Sequence, residues 1–332
     1  GPNVETDGFG LALWGARAYL HYSCDKAWLD QNTQHDTYQD TVYEALLQTA
    51  QDIDALLINN LPAPECSIWE THWDYKQIFT YTAATQIRGL FDFAAIAELY
   101  GDTENAAYYR QRGQALLDTT VRRLVHPSYD SFVSHFNTVN SSFFVDGSTV
   151  EMLSWNFVDV DDPVYQGTMR LYERLETDVG GYKRLEQQLS LTGGSQATRY
   201  DLSQWILLDL RIGEAWRKMG NTSRAEELLR FITDSAIDND HLIPELFDPT
   251  DGRYDGVVPM VGYGAGAWQV AQLEKYGKPF PDVDVGWAHC DLNGGSSSDM
   301  GETMDENAND DTNERQNMNT DDEGMDNAQA MT

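Results

Sequence analysis

Two short phrases constrain this chain more than its composition does. Tyr100-Gly101-Asp102-Thr103 and Met219-Gly220-Asn221-Thr222 each stop one helix and open the next. Glycine supplies the left-handed residue that ends a helix. The Asp or Asn that follows, with its Thr, offers oxygens to the free N–H groups of a new one. Ser223 and Glu226 stand at capping-box spacing, and Glu274-Lys275-Tyr276-Gly277 is a weaker echo of the stop. Before Gly101, residues 77–99 are apolar on several faces: Phe79, Ala83, Ile87, Leu90 and Ala94 line one, and Phe91, Phe93, Ala95 and Ile96 fill others. That predicts a buried helix. Residues 37–58 carry a single stripe of Val42, Leu46, Leu47, Ala50, Ile53 and Leu57, which predicts a surface helix. The repeating unit is therefore a buried helix, a glycine stop, a turn and an amphipathic helix. Further helices are predicted over 9–23, 103–124, 148–156, 162–175, 201–218, 222–238 and 261–275, about nine in all, with no alternating strand of useful length. The fold class is all-α. Alternating buried and surface helices close into an α/α toroid, whose long loops gather at one end around a cleft.

Charge narrows the partners. The net charge is −32, which excludes nucleic acid and anionic membrane surfaces, since both need clustered Lys and Arg. No apolar run reaches the roughly 18 residues of a membrane span. From Pro281 onward there are 14 acids and one Arg, leaving 40 acids against 21 bases before it, and only six of the 22 bases are Lys. Such a surface is expected of a halophilic protein, whose self-repulsion is screened by salt. Residues 281–332 are expected to be an acidic disordered tail after a toroid domain over 1–280. Cys24, Cys66 and Cys290 are too few and too scattered for a disulfide framework, so a reducing, cytoplasmic setting is expected. The chain begins Gly1-Pro2-Asn3 without a signal-like segment, as a processed chain or a fragment would. Seven scattered His and the absence of a Gly-Lys-Ser/Thr loop predict no metal and no cofactor.

Glu70 follows Trp69 in a loop that leads into a buried helix, and Glu245 follows Pro244 in another. Both face the expected cleft. Two carboxylates among aromatic rings suit glycoside hydrolysis, where one acid protonates the leaving oxygen and one base activates water. The ring of Trp69 is expected to raise the pKa of Glu70 by desolvation. Glu245, in a Pro-Glu turn near Asp248, reads as more solvated and as the better base. Arg184 is placed to bind sugar hydroxyls.

The run Ile68-Trp69-Glu70 followed by Phe79-Thr80-Tyr81-Thr82 resembles the general-acid motif of glucoamylase-type glycoside hydrolases of family 15. Asp7-Gly8 resembles that family's opening of an inner helix. Gly180-Gly181-Tyr182-Lys183-Arg184 is similar to its glycine and arginine loop, and Gln204-Trp205 to its Pro-Trp. Pro244-Glu245, with Asp251-Gly252, resembles the segment of the general base, and Tyr263 falls near a subsite tryptophan. The resemblance covers residues 7 to about 277. It implies an (α/α)6 barrel and an inverting, exo-acting enzyme that releases glucose from an α-glucan or oligosaccharide. Catalysis falls to Glu70 and Glu245, and substrate binding to Asp7, Trp69, Arg184, Trp205 and Tyr263. Against the family pattern the chain has about nine helices of twelve, lacks the amino-terminal β-domain and a Trp-x-Arg-Asp motif, and has Thr71 where some members have a second Glu.

Blander readings stand beside these. A lone Trp-Glu pair is more often a surface loop, Arg184 equally a structural ion pair, Asp7 equally a plain cap, and Trp205 and Tyr263 equally core. Two alternative functions also stay open. One is a non-catalytic toroid that binds glucan or a protein partner. The other is a trehalase-type or α-1,6 specificity on the same fold.

Overall fold

The computed structural model describes residues 4–33, 40–70, 76–139, 143–187, 200–255 and 262–290. Nine α-helices occur among them: α1 Asp7–Ser23, α2 Val42–Leu56, α3 Thr80–Tyr100, α4 Thr103–Arg123, α5 Glu151–Ser154, α6 Pro163–Leu171, α7 Ile206–Lys218, α8 Thr222–Asp238 and α9 Gly262–Lys275. The odd-numbered helices pack on one another in series, α1 on α3, α3 on α5, α5 on α7 and α7 on α9. The even-numbered helices lie outside: α2 against α1 and α3, α4 against α3, α8 against α7. This is the inner and outer alternation of an α/α toroid, as the helix pattern predicts.

The punctuation works as read. Gly101 ends α3 at φ +102°, its N–H bonding the Ala97 carbonyl, and the Asp102 side chain accepts from Asn105 N to open α4. At the second stop the cap is Asn221, which accepts from Arg224 N, rather than Ser223. Thr41 and Glu44 form a full capping box that starts α2 at Val42, the first residue of its apolar stripe, rather than at residue 37. α3 starts at Thr80 because Phe79 is still extended. Residues 148–156 form a 3-10 turn (Gly147–Val150) running into α5.

Two glycines let α1 and α3 touch. A Cβ on Gly10 would sit 1.9 Å from the Thr85 carbonyl oxygen, and one on Gly89 would sit 2.7 Å from the Gly10 Cα. The backbones therefore cross with no side chain between them.

Short antiparallel ladders tie the loops: β1 Leu57–Ile58 with β2 Leu61–Pro62, β3 Val125–His126 with β4 Ser131–Phe132, and β5 Gln204–Trp205, β6 Leu246–Phe247 and β7 Tyr254–Asp255 in one sheet. In that sheet Trp205 pairs with Leu246.

Residues 281–290 overturn one expectation. They are not a disordered tail: they form a strap across the C-terminal halves of the inner helices. Arg88 on α3 donates to the Pro281 carbonyl, and Arg17 on α1 donates to the Val285 carbonyl at 2.5 Å. The Arg17 guanidinium also lies 3.8 Å from the Trp287 ring, whose Nε1 donates to Ala95 O at 2.9 Å. Asp282 meets Asn156 beyond α5 and Lys218 on α7. Cys290 is disulfide-bonded to Cys24, just past α1, with Cα atoms 5.5 Å apart, a bridge where the spacing of the cysteines suggested no disulfide framework. Cys66 is buried. Acid-rich composition hid the strap, but Phe280, Trp287 and Cys290 supply the apolar anchors that order needs. The tail expected beyond residue 290 lies outside the described residues. No helix among the described residues is long and apolar enough to cross a membrane.

Candidate active site

Each inner helix is entered at its N-terminal end by a loop that carries a candidate residue. Asp7 is the first residue of α1. Glu70 lies on the loop into α3, and Asp146 caps the turn into α5. Arg184, Tyr200 and Trp205 precede α7, and Glu245 lies between α8 and α9.

Ser67–Glu70 is a tight turn, closed by Glu70 N–H bonding to Ser67 O at 3.1 Å. Glu70 itself sits at φ +51°, a left-handed conformation that disfavours a side chain unless the surroundings hold it. What holds it is Trp69, buried, with Nε1 donating to Asp146 Oδ1 at 2.8 Å. Asp146 also accepts from Ser134 and Ser148, so the carboxylate that holds the ring is itself fixed. Glu70 is exposed, and its carboxyl is held above the usual carboxylate range. Partial burial is the first cause. The charge of Glu5 and a hydrogen bond with it follow, while Arg184 pulls the other way. Glu5 was not a sequence candidate.

Arg184 is buried and paired with Asp201, Nε to Oδ1 at 2.6 Å. Its guanidinium is boxed by three rings, 5.1 Å from Trp69, 4.6 Å from Tyr200 and 4.7 Å from Trp205. Trp205 is buried too, edge-on to Trp69 at 5.1 Å, with Nε1 donating to Tyr200 O. The loop before it needs its glycines. Gly180 has φ +91°, and a Cβ on Gly181 would sit 2.1 Å from Gln204 Nε2.

Glu245 differs from its expected setting. It is buried rather than solvated, because β6 begins at the next residue and draws it in beside Trp205. Its Oε1 accepts from the Tyr200 hydroxyl at 2.7 Å. The Tyr200 phenol is pushed up by burial, by Glu245 and by the more distant charge of Glu70, against Arg184. Tyr200 thus bonds one predicted carboxylate and feels the charge of the other. Asp7 is buried at the rim, its carboxyl raised to about 6 by burial and by Glu5, with Glu70 a smaller cause.

Asp7, Trp69, Glu70, Arg184, Trp205 and Glu245 thus share one neighbourhood. Tyr263 lies in α9, and its side chain falls outside the described residues. Tyr200, Asp201 and Glu5 were missed. Tyr200 and Asp201 stand just before Gln204-Trp205, a proximity that could have flagged them. Glu5 left no signal in its local pattern. Among the described residues, metal-type donors gather at Cys24, His289 and Cys290, away from this site, with both sulfurs spent in the disulfide.

No family model matches the chain, and no curated protein sequence matches it. Solved structures do. A bacterial glucoamylase complexed with acarbose superposes with a TM-score of 0.65 at 14% identity, over 85% of this chain and 42% of that one. A glycosidase variant in complex with glucose gives 0.60 at 21% identity, over 83% and 68%. The glucoamylase of Saccharomycopsis fibuligera gives 0.61 at 12% identity, over 83% and 71%. This chain thus spans less than half of the first of these relatives and about two thirds of the others. The helix alternation and these superpositions together identify the fold as the glucoamylase-type α/α toroid.

Proposed function

We propose that this chain is an inverting, exo-acting glycoside hydrolase that releases glucose from α-glucans or α-glucosides. Glu70 is the general acid. Its raised pKa keeps a proton available for the glycosidic oxygen, and its place on a rigid turn beside Trp69 aims that proton at the cleft. Glu245 is the general base, oriented by the Tyr200 hydroxyl, and activates water for attack from the opposite face of the sugar. Trp69 and Trp205 form the aromatic wall against the sugar, and Asp7 receives hydroxyls. Arg184, committed to Asp201, stabilises the aromatic wall and tempers the Glu70 charge. The observation that supports the reading is the Tyr200–Glu245 hydrogen bond on the loops before α7 and α9, with Glu70 on the loop into α3 of a toroid of this type.

The test is glucose release from maltooligosaccharides in concentrated and dilute salt, with Glu70→Gln and Glu245→Gln as controls. Each substitution is expected to lower kcat by about 10² to 10⁴-fold. Full activity in both variants would remove the assignment, and release from trehalose in place of maltooligosaccharides would change the specificity.

A second reading is a non-catalytic toroid that binds glucan or a protein. It is favoured by the occupied guanidinium of Arg184 and by an open apolar groove between α1 and α2, walled by Leu11, Trp28, Val42 and Leu46. Binding of maltooligosaccharide without turnover would select it.

A further inference from the structure

Glu65 lies five residues before Glu70, and the mechanism above gives it no part. Its side chain is 1% exposed. Oε2 accepts from the backbone N–H of Thr6 at 3.1 Å, and Oε1 accepts from the Thr82 hydroxyl at 2.5 Å. The backbone N–H of Ser67 bonds it as well. These three donors belong to three different pieces of the site. Thr6 caps α1 immediately before Asp7, Thr82 stands in the first turn of α3, and Ser67 opens the turn that ends at Glu70.

The surrounding bonds make the same connection. The Thr82 hydroxyl reaches Ser67 Oγ at 3.2 Å, and Gln86 Nε2 on α3 donates to Thr6 Oγ1 at 3.1 Å. Cys66 N–H bonds to Val4 O, and Glu65 exchanges both backbone bonds with Gln77. A carboxylate is costly to bury. It is also the one side-chain group that accepts on all its lone pairs, which a Gln of the same shape cannot do. The charged and titratable groups that face it are Asp7 from α1 and Tyr81 from α3. Burial, with help from Asp7, raises its carboxyl to about 7.

We propose that Glu65 is the positioning residue of this site, joining the turn that carries Glu70 to the end of α1 that carries Asp7 in one fixed register. The inference rests on the reading of Glu70 as general acid. A misplaced acid costs catalysis even when every catalytic group is present, by up to about 100-fold for a shift on the order of 1 Å.

The experiment compares the parent protein with Glu65→Gln, Glu65→Asp and Glu70→Gln. It measures kcat, KM and the pH profile on maltooligosaccharides, together with hydrogen exchange by mass spectrometry. Glu65→Gln is expected to lose roughly 10 to 100-fold in kcat with a smaller change in KM, and to displace the pH profile as one charge beside Asp7 disappears. Exchange is expected to quicken over residues 4–10 and 65–70 while residues 222–238 of α8 stay protected. Glu65→Asp is expected to recover part of the rate. Parent-like kcat and pH profile in Glu65→Gln would overturn the proposal, and so would exchange that quickens equally in α8, the mark of a general loss of stability. If the parent protein, or Glu70→Gln relative to it, shows that no glycosidase chemistry runs through Glu70, the reading of the acid fails. The exchange data then still decide the tie, and unchanged protection over 4–10 and 65–70 overturns it.

Discussion

The Tyr200 hydroxyl donates to Glu245 Oε1 at 2.7 Å, and the same tyrosine ring lies 4.6 Å from the Arg184 guanidinium. One residue thus holds the proposed base and touches the aromatic wall of the site. Tyr200→Phe keeps the ring and deletes the bond. A hydrogen bond to a charged group contributes about 1.5–3 kcal/mol to stability, so the melting temperature is expected to fall by several degrees, and kcat is expected to fall as Glu245 loses its orientation. Steady-state kinetics and a thermal melt check both halves.

Glu5 offers a pH test. Its charge and its hydrogen bond both raise the Glu70 carboxyl. The acid works while protonated, so activity is lost as pH rises through its folded-state pKa. Glu5→Gln removes the charge, lowers that pKa and moves the alkaline limb of the kcat/KM profile to lower pH. A limb that stays in place, or moves upward, would show that Glu70 is not the group titrating there.

The crossing of α1 and α3 predicts a sharp contrast between neighbouring glycines. Gly10→Ala must push a methyl into the Thr85 carbonyl, whereas a Cβ on Gly15 meets nothing within 4 Å. Overpacking of this kind costs about 1–3 kcal/mol or more. Gly15→Ala, in the same helix, is expected to gain about 0.4–1 kcal/mol from reduced freedom of the unfolded chain. Denaturant titrations of the two variants read the difference directly.

The strap over 281–290 predicts redox-dependent stability. Reduction of Cys24–Cys290, or Cys24→Ser, is expected to cost about 2–4 kcal/mol by freeing the unfolded chain, a fall of several degrees in melting temperature for a domain of this size. Melts with and without reductant measure it, and identical curves would show that the other strap contacts suffice alone.

Much of this molecule was legible in its sequence, and the gaps have physical causes. Helix stops and starts are local events: Gly101, Asp102 and Asn221 act through their own backbone and side chains on residues no more than four positions away. The Trp69-Glu70 turn is local as well, so its candidacy could be read directly. Glu245 was legible as a carboxylate in a loop but misread as solvated. Its burial comes from the pairing of β6 with β5, residues about forty positions apart in the chain. Arg184 looked like a sugar ligand, and only the fold showed Asp201 in its grasp.

The sequence alone therefore determined the all-α alternation, the helix boundaries to within a few residues, and the placement of two carboxylates on loops entering inner helices. Propensity, capping and apolar periodicity act over short distances and need no tertiary partner. Only the tertiary structure decided that Glu5, Glu65 and Tyr200 join those carboxylates, and that an acid-rich segment ends as a disulfide-pinned strap. Those outcomes depend on which surfaces meet after the chain has closed, and burial there outweighs the local preference of each segment.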